Sequence, residues 1–268
     1  MSPTVEGPAG PLAYEERGVG EALLLVHGTA SDRSVWEELL AALPEGFRAI
    51  TYDRRAYGES GAPEPYGGTT VEEQADDAAQ LIDALGARPA LLCGHDLGAL
   101  VCLDLVRRRP ELARGAVLIE PPLLALSPRG PEVMSELREA VQRGAADGGP
   151  GGAVEAFLRH VGGEAVLDLL GTRRVEAATA APRAFAADLA AAPRWSFARR
   201  VLRAIEAPVV VVAGQHGGPW RDPAAALPAL LGNARLVEVA ASHFVQLERP
   251  DVVAEAITAL SASARVRS

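Results

Sequence analysis

The sequence predicts an α/β protein built on a doubly wound, mostly parallel sheet that carries a helical insertion. Six short apolar runs have the length of buried strands, and amphipathic stretches of helical length separate them. Such runs are typical of parallel strands that are covered on both faces. Their alternation with helices favours a doubly wound sheet. The runs are Ala22–Val26, Phe47–Tyr52, Ala90–Cys93, Gly115–Ile119, Val209–Ala213 and Ala234–Val239.

Three of the intervening helices have clear boundaries. Apolar residues recur at helical spacing over Val71–Leu85, and Thr70 before them is a suitable N-cap. A second helix is predicted over Leu97–Arg108, where Pro110 follows its end, and a third over Asp251–Leu260. Each helix follows a strand, as a doubly wound sheet requires.

The insertion interrupts this alternation. Residues 123–200 contain no convincing strand, only an Ala/Arg/Leu-rich helical pattern that is broken by Gly148-Gly149-Pro150-Gly151-Gly152. A structureless loop of that length is uncommon in a compact domain. We therefore predict a core of residues 1–122 and 201–268 and a helical cap of residues 123–200.

Composition limits the partners of the protein. The net charge is −9, and no long basic run is present, which argues against nucleic acid or an anionic membrane surface as a partner. No apolar stretch is long enough to span a bilayer, and the N-terminal segment lacks the apolar region of a signal peptide. We expect a cytoplasmic protein that acts on a small-molecule substrate, as a monomer or a homodimer.

Nothing in the sequence calls for a cofactor or a metal ion. Cys93 and Cys102 lie in apolar segments and are interpreted as small buried side chains. Neither they nor the five histidines have the spacing of metal ligands, and there is no dinucleotide fingerprint or P-loop.

A G-x-D-x-G segment lies between a predicted strand and a predicted helix, in Gly94-His95-Asp96-Leu97-Gly98. A sharp strand-to-helix turn strains the central residue and needs glycine on both sides, so that neighbouring chain can approach closely. The turn lifts the central side chain above the carboxyl edge of the sheet, at the start of a helix. The alternative interpretation is an ordinary aspartate N-cap.

Four segments in order resemble the α/β-hydrolase superfamily. Besides the turn at Asp96, His27-Gly28-Thr29 resembles its oxyanion loop, and the segment Asp53 to Ser60 resembles its D-x-R-G-x-G-x-S motif, with Ala56 in place of glycine. Ser242-His243-Phe244 resembles the segment that carries the catalytic histidine. The resemblance implies the α/β-hydrolase fold, a structural role for His27, and an oxyanion or substrate-binding site at Thr29 and Leu97.

An aspartate at this turn resembles the epoxide hydrolases and haloalkane dehalogenases. A carboxylate is ionised at neutral pH and attacks without the help of a base. The resemblance implies that Asp96 opens an epoxide or a related electrophile to form an alkyl ester, and that His243 activates water to hydrolyse that ester. A second carboxylate would orient the imidazole.

Two residues compete for the role of the second carboxylate. At the commonest family position, after the fifth predicted strand, the chain has Gly214-Gln215-His216-Gly217 and no acid. Asp222 follows a little later, but Asp222-Pro223 is better explained as a helix N-cap followed by proline. Glu120 ends the strand after the nucleophile helix, which is the alternative family position. We favour Glu120 and keep Asp222 as the alternative.

The sequence departs from both of these families. Leu97 stands where dehalogenases carry a halide-binding tryptophan, and Thr29 only partly substitutes for their second halide-binding residue. Epoxide hydrolases present tyrosine hydroxyls from the cap, whereas every tyrosine here lies outside the predicted cap, at Tyr14, Tyr52, Tyr57 and Tyr66. An epoxide hydrolase would then need another proton donor, for which His160 and His216 are candidates.

Two other function classes therefore remain open. One is a lyase, cyclase or isomerase of natural-product tailoring, in which Asp96 and His243 act as acid and base without a covalent step. The other is a binding protein without catalysis. His95 is interpreted as packing into the sheet, with a catalytic role as the alternative. Trp195, Phe197, Trp36 and Trp220 are candidates for the pocket lining or for the core.

Overall fold

The computed structural model describes residues 2–265 and contains a sheet of eight strands. They are β1 Thr4–Gly7, β2 Gly10–Arg17, β3 Gly20–Val26, β4 Gly46–Tyr52, β5 Ala90–His95, β6 Ala113–Ile119, β7 Val209–His216 and β8 Ala234–Ser242. Their order in the sheet is β1-β2-β4-β3-β5-β6-β7-β8. Strands β3 to β8 pair in parallel, whereas β1 and β2 are antiparallel to their neighbours. The predicted doubly wound, mostly parallel sheet is confirmed.

Each of the six predicted apolar runs lies in a strand, from β3 to β8, but the sequence did not reveal β1 and β2. These two strands form a hairpin at the edge of the sheet, where most of their side chains remain partly or fully exposed. Only Leu12 and Ala13 of the hairpin are buried. Edge strands of this kind lack the continuous apolar run that identifies a central strand.

Ten α-helices are present among the described residues. They are α1 Glu37–Ala42, α2 Val71–Ala84, α3 Leu97–Arg108, α4 Gly130–Gly162, α5 Val166–Thr179, α6 Pro182–Ala191, α7 Arg199–Arg203, α8 Arg221–Ala226, α9 Val245–Glu248 and α10 Pro250–Arg265. The predicted N-cap at Thr70 is confirmed, because its hydroxyl accepts from the N–H of Glu73, whose carboxylate accepts from the N–H of Thr70.

The predicted N-cap at Asp222 is wrong. Helix α8 already begins at Arg221, and its cap residue is Trp220, which ends a short 3₁₀ turn with helical backbone angles. The preceding turn therefore continues into the helix, and Asp222 lies in the first helical turn.

Between β6 and β7 the described chain forms helices and turns without a strand. We call residues 123–200 the insertion. Helix α4 is broken at Gly148 and Gly149, where the predicted glycine cluster lies, and α5 is broken at Gly171. Within residues 2–265, no helix is both long and apolar enough to cross a lipid bilayer.

Candidate active site

The backbone at Asp96 forms a tight turn between β5 and α3. Asp96 has φ 50° and ψ −124°, which is unusual for a residue other than glycine. A Cβ atom at Gly98 would collide with the carbonyl oxygen of Val26, and one at Gly94 would collide with Gly98. Both glycines are therefore required sterically, and the turn places the Asp96 side chain at the wall of a cavity.

The two carboxylate oxygens of Asp96 have different surroundings. Oδ2 accepts a hydrogen bond of 2.9 Å from the main-chain N–H of Thr29. The loop comes this close because Gly28 has no side chain, since a Cβ there would lie 2.8 Å from the Cβ of Asp96. Oδ1 lies 4.0 Å from Nε2 of His243. One oxygen is thus held by a main-chain donor, and the other faces an imidazole.

The structure brings Glu120, and not Asp222, to this imidazole. Nδ1 of His243 lies 3.7 Å from Oε2 of Glu120, while Oε1 of Glu120 accepts a hydrogen bond of 2.6 Å from the N–H of Gly214. Glu120 is fully buried. The side chain of Asp222 is 72% exposed and lies near Arg221. The carboxylate alternatives left open by the sequence thus differ in position, and only Glu120 lies beside His243.

Burial opposes the charge of both members of this pair. It raises the pKa of Glu120 well above its ordinary value, although the Gly214 N–H counteracts this. It lowers the pKa of His243 to about 3. Each charge is therefore costly alone, and an imidazolium at His243 would be stabilised by an ionised Glu120 beside it.

Two other buried histidines bind main-chain atoms. Nε2 of His95 lies 3.1 Å from the carbonyl oxygen of His243, and the two rings lie 4.4 Å apart. Nε2 of His27 accepts from the N–H of Arg54 at 2.9 Å, so Nδ1 carries the proton and donates to the carbonyl oxygen of Gly28, also at 2.9 Å. Both imidazoles therefore support the chain around the site.

The cavity above Asp96 has a volume of about 270 Å³ and a largely apolar wall. Its lining residues are Thr29, Asp96, Pro122, Leu123, Leu124, Ala125, Gly130, Pro131, Met134, Leu137, Phe157, Asp188, Leu189, Ala192, Pro193, Trp195 and Trp220. The insertion supplies most of them. Of the described residues, the charged ones in this lining are Asp96 and Asp188, and both are acidic.

The lining includes some of the predicted binding residues and leaves others out. Trp195 lies on the wall, where its indole N–H donates to Asp104 at 3.1 Å, and Trp220 lies there as well. In the described chain the lining does not include the other candidate site residues. Those include His243, Glu120, His95, His27, Leu97, Trp36, Phe197, His160, His216 and the four tyrosines.

Asp188 is a site residue that the sequence did not reveal. It lies on α6, is buried, and forms an ion pair of 2.6 Å with Arg54. Arg54 occupies the variable position of the D-x-R motif, between Asp53 and Arg55, and an aspartate inside an alanine-rich helix carries no local signal. Among the described residues, no group of three or more His, Cys, Asp or Glu side chains is placed to hold a metal ion.

The chain resembles known hydrolases in sequence over part of its length. Hydrolase YraK of Bacillus subtilis, itself uncharacterized, is 34% identical over 123 residues, which is 46% of this chain and 45% of YraK. Bifunctional epoxide hydrolase 2 of Sus scrofa is 30% identical over 122 residues, which is 45% of this chain and 22% of that protein. The aligned stretches thus cover less than half of these relatives.

The structural comparison extends over nearly the whole chain. A thermophilic esterase from Thermogutta terrifontis, solved with malate bound, has a TM-score of 0.80 and 26% identity, over 98% of this chain and 99% of the esterase. The model of the alpha/beta hydrolase family matches residues 23–256. With the sheet order, the turn at Asp96 and the histidine after β8, this match shows that the chain belongs to the α/β hydrolase family.

Proposed function

We propose that this hydrolase acts through Asp96 as a nucleophile and opens an epoxide or a related strained electrophile by way of an alkyl ester. The observation that carries the proposal is the asymmetry of the Asp96 carboxylate. Oδ2 is bound to the N–H of Thr29, which leaves Oδ1 as the oxygen that faces His243, and Asp96 lies on the cavity wall. A carboxylate held in this way is oriented for attack and needs no base to ionise it.

In the first step, Oδ1 attacks an sp³ carbon of the substrate. A C–O bond forms to Asp96 and the C–O bond of the epoxide breaks, so that its oxygen leaves with the electron pair as an alkoxide. The alkoxide takes a proton from a water molecule, which becomes hydroxide. No buried positive charge faces the cavity among the described residues, so the driving force is the strain of the substrate ring.

In the second step, His243 accepts a proton from water through Nε2, and the hydroxide attacks Cγ of Asp96. Negative charge develops on Oδ2, where the N–H of Thr29 and, in this fold, the N–H of the residue after the nucleophile stabilise it. The Cγ–Oδ1 bond breaks, and the imidazolium gives its proton to the departing alkoxide. Asp96 is left as a carboxylic acid and loses its proton to the hydroxide formed in the first step, which restores the carboxylate. Glu120 stabilises the imidazolium while it exists.

The cavity indicates a neutral, apolar substrate. The charge of Asp188 is paired with Arg54, whereas Asp96 repels anions, and no cation among the described residues lines the cavity to bind a carboxylate group. An engineered cavity of about 150 Å³ accommodates benzene in another protein. A cavity of about 270 Å³ therefore suits a single ring with a short substituent that carries the electrophile. The name of the porcine relative, an epoxide hydrolase, agrees with such a substrate.

A second candidate function is supported by the absence of a tyrosine from the cavity lining among the described residues. Without a phenolic hydroxyl to protonate the epoxide oxygen, Asp96 and His243 would serve as acid and base in a non-covalent lyase, cyclase or isomerase. In that reaction no bond to Asp96 forms, and this difference separates the two functions experimentally.

The test uses a His243→Gln variant and a panel of neutral epoxides, activated esters and haloalkanes. We expect the protein to gain the mass of one substrate, with the adduct on the peptide that contains Asp96, because alkylation continues while hydrolysis stops. The matched control is His216→Gln, since His216 is exposed and outside the cavity.

The control should turn over the same substrate without accumulating an adduct. In single turnover of the unaltered enzyme in ¹⁸O-water, one oxygen-18 should enter Asp96, because the attacking water becomes part of its carboxylate. A folded His243→Gln protein that forms no adduct with any reagent would refute covalent catalysis and favour the acid–base reaction.

A further inference from the structure

We infer that a buried polar cluster, which we call the loop anchor, positions the oxyanion donor for the hydrolytic step and ties it to the insertion. The loop anchor consists of Arg54, Tyr57, Gln74 and Asp188. Each of these side chains is at most 1% exposed. The inference rests on the proposed two-step hydrolysis.

The loop anchor holds the oxyanion loop on both sides of Thr29. Nε of Arg54 donates to the carbonyl oxygen of His27, and Nη2 donates to that of Gly28, both at 2.8 Å. The hydroxyl of Tyr57 accepts from the N–H of Ala30 at 3.3 Å. The main-chain atoms that flank the Thr29 N–H are thus bound to one cluster.

The bond to Gly28 acts directly on the oxyanion donor. The carbonyl oxygen of Gly28 and the N–H of Thr29 belong to the same peptide group, which is planar and trans. Fixing the oxygen therefore fixes the direction of the N–H, which points to Oδ2 of Asp96. A cationic donor on the oxygen also polarises the peptide group and strengthens its N–H as a donor.

Asp188 holds Arg54 in this position from the insertion. Its Oδ2 accepts from Nη2 of Arg54 at 2.6 Å and from the hydroxyl of Tyr57 at 2.8 Å, and its Oδ1 accepts from Gln74 at 3.0 Å. Burial opposes the charge of Arg54, but Asp188 keeps the pKa of the guanidinium above its ordinary value. Since Asp188 also lies on the cavity wall, the position of α6 over the substrate is coupled to the oxyanion loop.

The two proposed steps depend differently on the Thr29 N–H. During alkylation the negative charge leaves the carboxylate, so a weaker donor costs little. During hydrolysis the charge develops on Oδ2, which is the atom that the N–H of Thr29 binds. A disturbed loop anchor should therefore slow hydrolysis much more than alkylation, and the alkyl ester on Asp96 should accumulate.

The experiment compares Asp188→Asn with Asp77→Asn. Asp77 forms a similar buried ion pair of 2.6 Å with Arg55, but this pair has no bond to the oxyanion loop. We expect Asp188→Asn to lower the rate constant of hydrolysis by about tenfold or more, because removing one oxyanion donor completely costs about 10²-fold to 10³-fold. Its alkylation rate should stay within about threefold, so intact mass should reveal the Asp96 adduct at steady state.

A second readout does not depend on the reaction. In nuclear magnetic resonance spectra, the amide proton of Thr29 should shift upfield and exchange faster in Asp188→Asn, and it should be unchanged in Asp77→Asn. Tyr57→Phe, which removes only the hydroxyl, should produce the same changes to a smaller extent. This variant also serves if Asp188→Asn fails to fold.

The Thr29 amide signal and the rates of alkylation and hydrolysis together decide the inference. An unchanged Thr29 amide in both loop-anchor variants overturns the inference whatever the reaction is. Equal slowing of both steps, matched by Asp77→Asn, reduces the cluster to a general structural role and also overturns it. If the unaltered enzyme and His243→Gln form no Asp96 ester while the Thr29 amide shifts as expected, the proposed function fails and the positioning role is retained.

Discussion

The carboxyl edge of the sheet and the insertion both surround the cavity, but their backbones differ. All four described residues other than glycine with positive φ, namely Ala30, Ala56, Asp96 and Glu120, lie in the core at or near this edge. The insertion has positive φ only at glycines, of which Gly149, Gly163 and Gly171 have open space around them. The strained backbone of residues other than glycine is therefore concentrated at the edge that holds Asp96 and Glu120.

The sheet itself maintains this strained conformation. The N–H of Asp96 donates to the carbonyl oxygen of Ile119 at 2.9 Å, and the N–H of Glu120 donates to that of Val212 at 3.0 Å. Each residue with a strained backbone costs about 1–3 kcal/mol, which the surrounding structure has to offset. The strands thus hold Asp96 and Glu120, while the insertion supplies most of the cavity wall with helices that are broken at glycines.

Loss of the Glu120 carboxylate should impair catalysis more than any other change considered for this edge. Glu120→Gln should lower kcat by about 10⁴-fold, because the imidazolium at His243 would lose the charge that stabilises it. Kinetics with a substrate that forms the Asp96 adduct measures this effect. Asp222→Asn, a change of the same size at an exposed site near this edge, should leave kcat within about twofold. A large loss in Asp222→Asn alone would contradict the assignment of Glu120.

A glycine pair compares the edge with the insertion directly. At Gly217 a Cβ atom would collide with the carboxylate of Glu120, whereas at Gly148 it would meet nothing within 4 Å. Gly217→Ala should therefore displace Glu120 and lower kcat by about 10²-fold, the typical effect of a displacement of about 1 Å in an active site.

Gly148→Ala is the control for this substitution and should leave kcat unchanged. Circular dichroism and thermal unfolding would show that both variants are folded. If the two variants have the same activity, the position of Glu120 does not depend on the space that Gly217 provides.

The edge of the sheet was predictable because its signals are local. Continuous apolar runs identify buried strands, and the two glycines around Asp96 identify the turn, since steric contact with neighbouring chain excludes other residues there. The choice of Glu120 over Asp222 followed from the resemblance, which places an acid at the end of the strand after the nucleophile helix, and from the N-cap interpretation of Asp222, which the structure overturns. The structure places Glu120 beside His243, and its role stays a prediction.

Other features of the fold and of the site were not predictable, because contacts between residues far apart in sequence, or exposure at the edge of the sheet, determine them. Asp188 is 134 residues from Arg54 in sequence, and nothing near it identifies its partner. Trp195 and Trp220 line the cavity, whereas Trp36 packs in the core, and all three are similarly buried. The β1–β2 hairpin was missed because its exposed strands lack a continuous apolar pattern.

The smallest effect concerns stability at acid pH. Burial lowers the pKa of His95 to about 3, and the neighbouring His243 contributes to the same shift. Below about pH 6.5 the unfolded chain therefore binds a proton at His95, whereas the folded protein does not. This contribution to the free energy of unfolding is fully present above pH 6.5 and is lost as the pH falls towards 3. At pH 5 the loss from His95 amounts to about 2 kcal/mol.

Urea unfolding at pH 7.5 and at pH 5 measures how much of the free energy of unfolding is lost in acid. His95→Gln should reduce this loss by about 2 kcal/mol relative to the unaltered protein. His216→Gln, at an exposed site, should not change it. An acid-induced loss that is equal in both variants would mean that His95 can take up a proton in the folded protein.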